Sequence, residues 1–267
     1  MPSPVTPSSR DRLSQARKQL KLALFFAAAF VQMGDLAFAA DVPVAVASNF
    51  SAPMRTIAQE FQKDTGHKAL LAFGATGSFY AQIRNGAPFM LLLAADSDTP
   101  ARLVQDGAAL ASSRFTYAIG RLVLWSAQPG LVDDKGQVLG KGTFTHIALA
   151  NPKLAPYGAA AIETLTALHL QDRLRARMVQ GENISQAFQF VASGNAQLGF
   201  VALSQVMEQG RITKGSAWVV PASLHKPLRH DAVILAPGKH SPAAAALAAY
   251  LRSDKARSII RSHGYEF

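Results

Sequence analysis

The chain has 267 residues, 49% of them apolar, with 27 basic against 17 acidic side chains, a formal charge of +10 and no cysteine. The missing thiols exclude disulfides, thiolate nucleophiles, cysteine-held metals and a lipidated N-terminal cysteine. No basic-aromatic run or nucleic-acid motif accompanies the positive charge, so it reads as a solvated surface with a weak pull on anions, not as a nucleic-acid face.

Arg10, Arg12, Arg17, Lys18 and Lys21 precede an apolar run from Leu22 to Val31, and Ala37-Phe38-Ala39 follows. Basic start, apolar middle and small-x-small finish predict a secretory signal peptide over residues 1–39, cleaved after Ala39, and hence export. Gln32, Gly34 and Asp35 cut the run well short of the roughly 18–20 residues that a membrane anchor needs. The leader holds five basic and two acidic residues, which leaves the exported part near +7 by difference. About 228 residues then remain to bury a core without disulfides, enough for one large or two ordinary domains.

Beyond the leader, short apolar strands alternate with helices. Strands are expected at 42–47, 69–73 and 90–94, with helices at 52–65, 79–85 and 99–106 between and after them. That alternation is the pattern of a doubly wound α/β domain with a parallel sheet. A long strand over 115–126 leads into a second α/β series. Its strands are expected at 147–150, 198–201 and 217–220, and its helices at 158–168, 173–178, 185–193 and 204–208. A long strand at 230–235 precedes helices at 241–253 and 254–262. Two α/β units joined by two long strands suggest two lobes, with residues 40–121 and 230–267 in one and 122–229 in the other. Residues 136–142 read as a mobile surface loop.

Ligands in open α/β sheets sit beyond the carboxyl ends of the strands, at helix starts. Five loops have that position: Ser48-Asn49-Phe50-Ser51, Ala75-Thr76-Gly77-Ser78, Ala95-Asp96, Asn151 to Gly158, and Glu182-Asn183-Ile184-Ser185. The second is a glycine-rich, hydroxyl-bearing turn opening a helix, where free N–H groups and the helix dipole suit an anion, although an ordinary helix cap has the same composition. Hydroxyls, one amide and helix-start N–H groups without an acceptor suit a fully deprotonated oxyanion. A protonated anion would want an acidic acceptor.

Val44 to Phe50, Gly74-Ala75-Thr76-Gly77-Ser78, Gln82-Ile83-x-x-Gly86-Ala87-Pro88 and Ala94-Ala95-Asp96 resemble the periplasmic molybdate-binding proteins of ABC importers. Asn151-Pro152 through Pro156-Tyr157-Gly158, Glu182-Asn183-Ile184, Leu198 to Val201 and Gly264-Tyr265 continue the likeness along the exported chain. The resemblance implies a type II periplasmic-binding fold, two doubly wound α/β lobes joined by two crossing strands, with a tetrahedral oxyanion clamped between them. It implies molybdate or tungstate as ligand, no further cofactor, no direct cation ligands, a membrane permease as partner and a monomeric, non-enzymatic protein. Carried over residue by residue, the oxyanion site falls on Ser48, Asn49, Thr76, Ser78, the Ala95 N–H, Tyr157 and Ile184. Two positions depart from the family: Ala202 stands where many members carry a ligating tyrosine, which Tyr157 could replace, and Met90 where an acid is usual.

Other signals carry less. His225 and His230-Asp231 match no metal-ligand spacing and read as solvated or hinge-packing residues. Gly136-x-x-x-Gly140-Lys141-Gly142 is one residue short of a phosphate loop and lacks its hydroxyl. Asp96 and Asp98 read as helix caps, and Phe61, Phe73, Phe79 and Phe188 as core. The alternatives left open are another oxyanion, such as sulfate or thiosulfate, and a secreted serine hydrolase, for which no base is evident.

Overall fold

Two five-stranded mixed sheets organise the computed structural model, which describes residues 39–267 apart from Thr143 and Gln209. The leader expected over 1–39 lies, but for its last residue, outside the described residues. The chain opens with β1 (Asp41–Ala47), α1 (Ser51–Thr65), β2 (Lys68–Gly74), α2 (Thr76–Arg84), β3 (Leu91–Leu93) and α3 (Asp98–Gln105). Next come β4 (Phe115–Gly120), β5 (Leu122–Ser126), α4 (Val138–Lys141), β6 (Ile147–Ala150), α5 (Pro156–Ala167) and α6 (Gln171–Leu174). Then follow β7 (Met178–Gly181), α7 (Ile184–Ala192), β8 (Leu198–Ala202), α8 (Leu203–Val206), β9 (Met207–Glu208), β10 (Arg211–Ile212) and β11 (Ser216–Val219). The chain closes with β12 (Leu228–Ile234), α9 (Pro242–Tyr250) and α10 (Asp254–Ser262).

The first sheet has the order β2-β1-β3-β12-β4, and the second β11-β5-β8-β6-β7. Neither is wholly parallel, against expectation: β12 runs antiparallel to β3 and β4, and β5 antiparallel to β8 and β11. The apolar run of 115–126 is two strands, not one. The chain breaks at Arg121, exposed and paired with Glu266 at 3.1 Å, and the two pieces enter different sheets. The unbroken burial of β5 and the irregular burial of β4 leave no period that marks the break. The second passage runs from β11 to β12, so the chain crosses between the sheets twice.

Smaller corrections have local causes. The helix expected at 173–178 is a short α6, a 3-10 turn over Arg175–Arg177 and then β7. The four residues of β7 are set by their ladder with β6, a tertiary pairing that local sequence does not announce. The loop at 136–142 contains α4, whose Val138 and Leu139 are buried, and Asp133 accepts three backbone N–H bonds at its start. Phe61 and Phe79 are core, whereas Phe73 is half-buried under Arg55 and Phe188 stacks half-buried on Trp125.

The cores follow the two sheets. Val44, Val46, Leu91 and Leu93 meet Phe50, Ile57, Leu247 and Ile260 on one face of the first sheet, while Ala45 and Leu92 meet Phe79 and Leu103 on the other. The second sheet buries its own cluster, which Ala47, Ala75 and Ala95 of the first sheet's loops join. No helix among the described residues is long and apolar enough to cross a membrane.

Candidate oxyanion site

Register places the loops. Ala47 of β1 pairs with Gly74 of β2, and Val46 with Leu93 of β3, so the chain leaves all three strands at one level, at Ser48, Ala75 and Ala94. In the second sheet Ala150 pairs with Gly181, which brings Asn151 and Glu182 level. The two edges face each other. Gly77 N–H donates to the Leu154 carbonyl at 2.8 Å, Ser185 Oγ to the Ser48 carbonyl at 3.2 Å and Ser204 Oγ to the Asn49 carbonyl at 2.8 Å. Gly77 makes room for this approach: a Cβ would stand 3.1 Å from the Leu154 backbone, which would have to give by a few tenths of an ångström.

Between the edges lies a small cavity in which the centre of a water-sized sphere has about 10 Å³ to move. Ser48, Asn49, Thr76 and Ala95 line it from the first sheet, and Tyr157 and Ile184 from the second. These are six of the seven residues expected from the sequence. The seventh, Ser78, is half-buried but does not line the cavity. It stands half a helical turn past Thr76, on another face of α2.

Each lining group has a defined hydrogen-bonding state. The Thr76 hydroxyl accepts from the Ala95 N–H at 3.0 Å, which leaves its own proton to donate. That N–H, expected to serve the ion directly, is thus engaged by Thr76. Pro156 occupies the first turn of α5 and brings no donor, so Tyr157 supplies the first N–H of that helix, with no intrahelical acceptor. At α7 the Asn183 side chain accepts from the N–H groups of Ser185 and Gln186 and leaves that of Ile184 to the cavity. The Asn49 amide nitrogen donates to Tyr265 Oη at 3.0 Å and faces His230 Nδ1 at 3.5 Å, so it is the backbone N–H of Asn49 that remains. No charged side chain, and no nucleophile with a base beside it, lines the cavity.

Behind the lining is a buried polar cluster that sequence reasoning did not assemble. Tyr265 Oη donates to the Asn49 carbonyl at 2.7 Å and lies 3.0 Å from Ser204 Oγ. Burial pushes the Tyr265 hydroxyl up to about 12, a rise that its bonds to Ser204 and Asn49 temper. Burial also lowers His230 to about 3, keeping it neutral. The same cause raises Tyr117 and Tyr157 well above the ordinary tyrosine range. The sequence left His230 either solvated or packed at the hinge, and it is buried; the signals for Tyr265 and Ser204 were only their hydroxyls near a loop and the chain end.

Larger cavities lie elsewhere. One of about 560 Å³ opens beside Trp125 and Phe188, and one of about 480 Å³ adjoins the small site and carries Asp96, Asp98, Lys153 and Arg229. Asp96 accepts from Thr99 N–H at 2.8 Å and acts as a cap; burial raises its carboxyl against the pull of those bonds. Size does not pick out the site; convergent donors do.

A family model described as bacterial extracellular solute-binding protein matches residues 42–266. The chain belongs to that family. It is 58% identical over 227 residues to the molybdate-binding protein ModA of Azotobacter vinelandii, covering 85% of this chain and 90% of that one. To ModA of Rhodobacter capsulatus it is 49% identical over 230 residues, 86% and 89% of the two chains. The solved periplasmic molybdate-binding protein of A. vinelandii superposes with a TM-score of 0.82 at 43% identity, over 85% of this chain and 99% of that one. The two-lobed α/β fold expected from the sequence is therefore the observed one, and the protein is an extracytoplasmic solute-binding protein of the ModA type, not an enzyme.

Proposed function

We propose that the protein captures molybdate or tungstate between its two sheets and presents the closed form to the permease of an ABC importer. One observation carries this reading: a cavity lined from both sheets by neutral donors, with neither a cation to suit an organic carboxylate nor an acid to accept a proton. The names of the relatives reported above support the choice of ion. Ser48 and Thr76 donate through their hydroxyls, and Asn49, Tyr157 and Ile184 through backbone N–H groups. Ala95 acts through Thr76, whose hydroxyl oxygen accepts its N–H and so points the hydroxyl proton at the ion. Three of these donors open helices, whose dipoles favour a dianion without a counter-charge.

The lobes are residues 40–121 with 230–267, and 122–229, and they close about Arg121 and the second passage. Because the ion touches both, it favours the closed state by its differential affinity, and closure is what the permease reads. Exclusion of sulfate rests on size: a ring of donors fitted to a larger ion leaves sulfate with long hydrogen bonds, each costing on the order of 1–3 kcal/mol. The exported protein begins near Ala40 and works as a monomer.

Thermal unfolding of residues 40–267 tests the reading. A ligand at 100 times its Kd adds about 2.7 kcal/mol, a rise of roughly 5–11 °C in Tm for a chain of this size. Molybdate and tungstate are expected to produce it. An unchanged Tm with both ions contradicts the assignment.

A further inference from the structure

His230 sits at the centre of the buried cluster and is fully excluded from solvent. Its ring packs edge-on against Tyr157 and Tyr265, at 5.8 and 5.5 Å between centroids, and tilted against Tyr117 at 5.8 Å. Its hydrogen-bonding state follows from its neighbours. Tyr265 has one proton, and the shortest of its contacts gives that proton to the Asn49 carbonyl. Tyr265 Oη must then accept from Asn49 Nδ2, which fixes the amide with its NH2 toward the ring. His230 Nδ1 is therefore an acceptor facing that NH2, and the ring proton is on Nε2.

Two buried polar atoms of this region make no hydrogen bond of ordinary geometry, His230 Nε2 and Tyr157 Oη, although Tyr265 Oη lies near enough to Tyr157 to raise its hydroxyl. They converge on one point, since a Cβ on Gly120 would lie 2.8 Å from the first and 2.1 Å from the second. One atom belongs to β12 of the first sheet, the other to the helix that opens the second half of the ion site. A donor and an acceptor, both buried and both without a bond of ordinary geometry, are complementary.

We propose that His230 is a positioning residue of the oxyanion site, a latch whose Nδ1 holds the Asn49 amide while its Nε2–H donates to Tyr157 Oη as the two sheets close on the ion. The inference rests on the oxyanion reading. His230 does not touch the ion; it registers Asn49, a donor on one side, against Tyr157, a donor on the other. Glycine at position 120 keeps open the space in which the bond forms.

A double-mutant cycle tests it by calorimetric titration with molybdate at pH 7.5. His230→Phe and Tyr157→Phe each keep a ring and remove one end of the bond. Each is expected to weaken binding about tenfold, and the double variant no more than the weaker single one, because partners in one bond are not additive. His230→Gln, which restores a donor near the Nε2 position, is expected to return affinity to within about threefold of the original chain. Losses that multiply in the double variant, or single variants that bind like the original, overturn the latch. If the original chain itself ignores molybdate and tungstate, the ligand assignment fails. The latch, which forms only as the sheets close on the ion, then falls with it.

Discussion

At the scale of single residues, Thr76 carries the largest share of the site's logic. Its hydroxyl accepts from the Ala95 N–H and donates into the cavity, so one oxygen organises two donors. Thr76→Ala removes a charge-assisted bond and leaves a buried N–H unpaired. It should weaken molybdate binding roughly ten- to a hundredfold, read by titration; unchanged affinity contradicts the role. Ser78→Ala, two positions past Thr76 and off the cavity lining, should bind within about twofold of the original chain. Six of the seven residues that the family resemblance pointed to line the cavity, and the hydroxyls, glycines and helix starts after strands mark the same loops in the sequence. Ser78 does not line it; the turn's composition does not say which hydroxyl faces inward. The cluster of His230, Tyr265 and Ser204 was not legible at all, since its members come from β12, the chain end and α8, brought together only by the packed fold.

At the scale of elements, the passage from β4 to β5 matters most. Gly120 is followed by Arg121, and the strands on either side enter different sheets. Gly120→Ala would drive a methyl group into Tyr157 Oη and His230 Nε2. We expect it to lower both Tm and molybdate affinity, and an alanine variant that binds and melts normally would contradict the packing described. The existence of most elements was legible from apolar periodicity. What local sequence concealed were features set by pairing: the break at Arg121, the short β7 beside β6, and the antiparallel β12 inserted between β3 and β4. An apolar strand buried on both faces has no period that reveals its direction or its partner.

The element scale also sets the pH dependence. The folded chain holds His230 neutral, with its acidity shifted from the ordinary 6.5 to about 3 by burial, and Tyr117, Tyr157 and Tyr265 are the titratable side chains packed on its ring. Below the ordinary value the unfolded chain binds a proton that the folded chain refuses, so this contribution is intact above pH 6.5 and is lost as pH falls toward 3. Each unit of acidification in that window costs up to about 1.4 kcal/mol. Denaturant melts at pH 7.5 and 5 should show lower stability at pH 5, and His230→Gln should flatten the difference. Equal slopes in both chains would contradict the assignment.

At the scale of the whole molecule, two mixed sheets present their loop edges to each other across a cavity of neutral donors. Neither sheet holds a complete site: Ser48, Asn49 and Thr76 stand on one side, Tyr157 and Ile184 on the other. Cross-edge bonds from Gly77 to Leu154 and from Ser204 to Asn49 hold the edges together. No charged side chain lines this cleft, although the chain as a whole is basic. That division lets discrimination rest on shape and on donor count.

Isothermal titration of residues 40–267 with molybdate, tungstate, sulfate and phosphate tests that claim most directly. The account predicts one-to-one binding of molybdate and tungstate. It predicts sulfate weaker by at least tenfold, through ill-fitting hydrogen bonds. Phosphate, which retains a proton at neutral pH and finds no acceptor, should give no heat of binding. Phosphate binding as tight as molybdate, or silence toward both molybdate and tungstate, would contradict a site built of neutral donors for a fully deprotonated oxyanion.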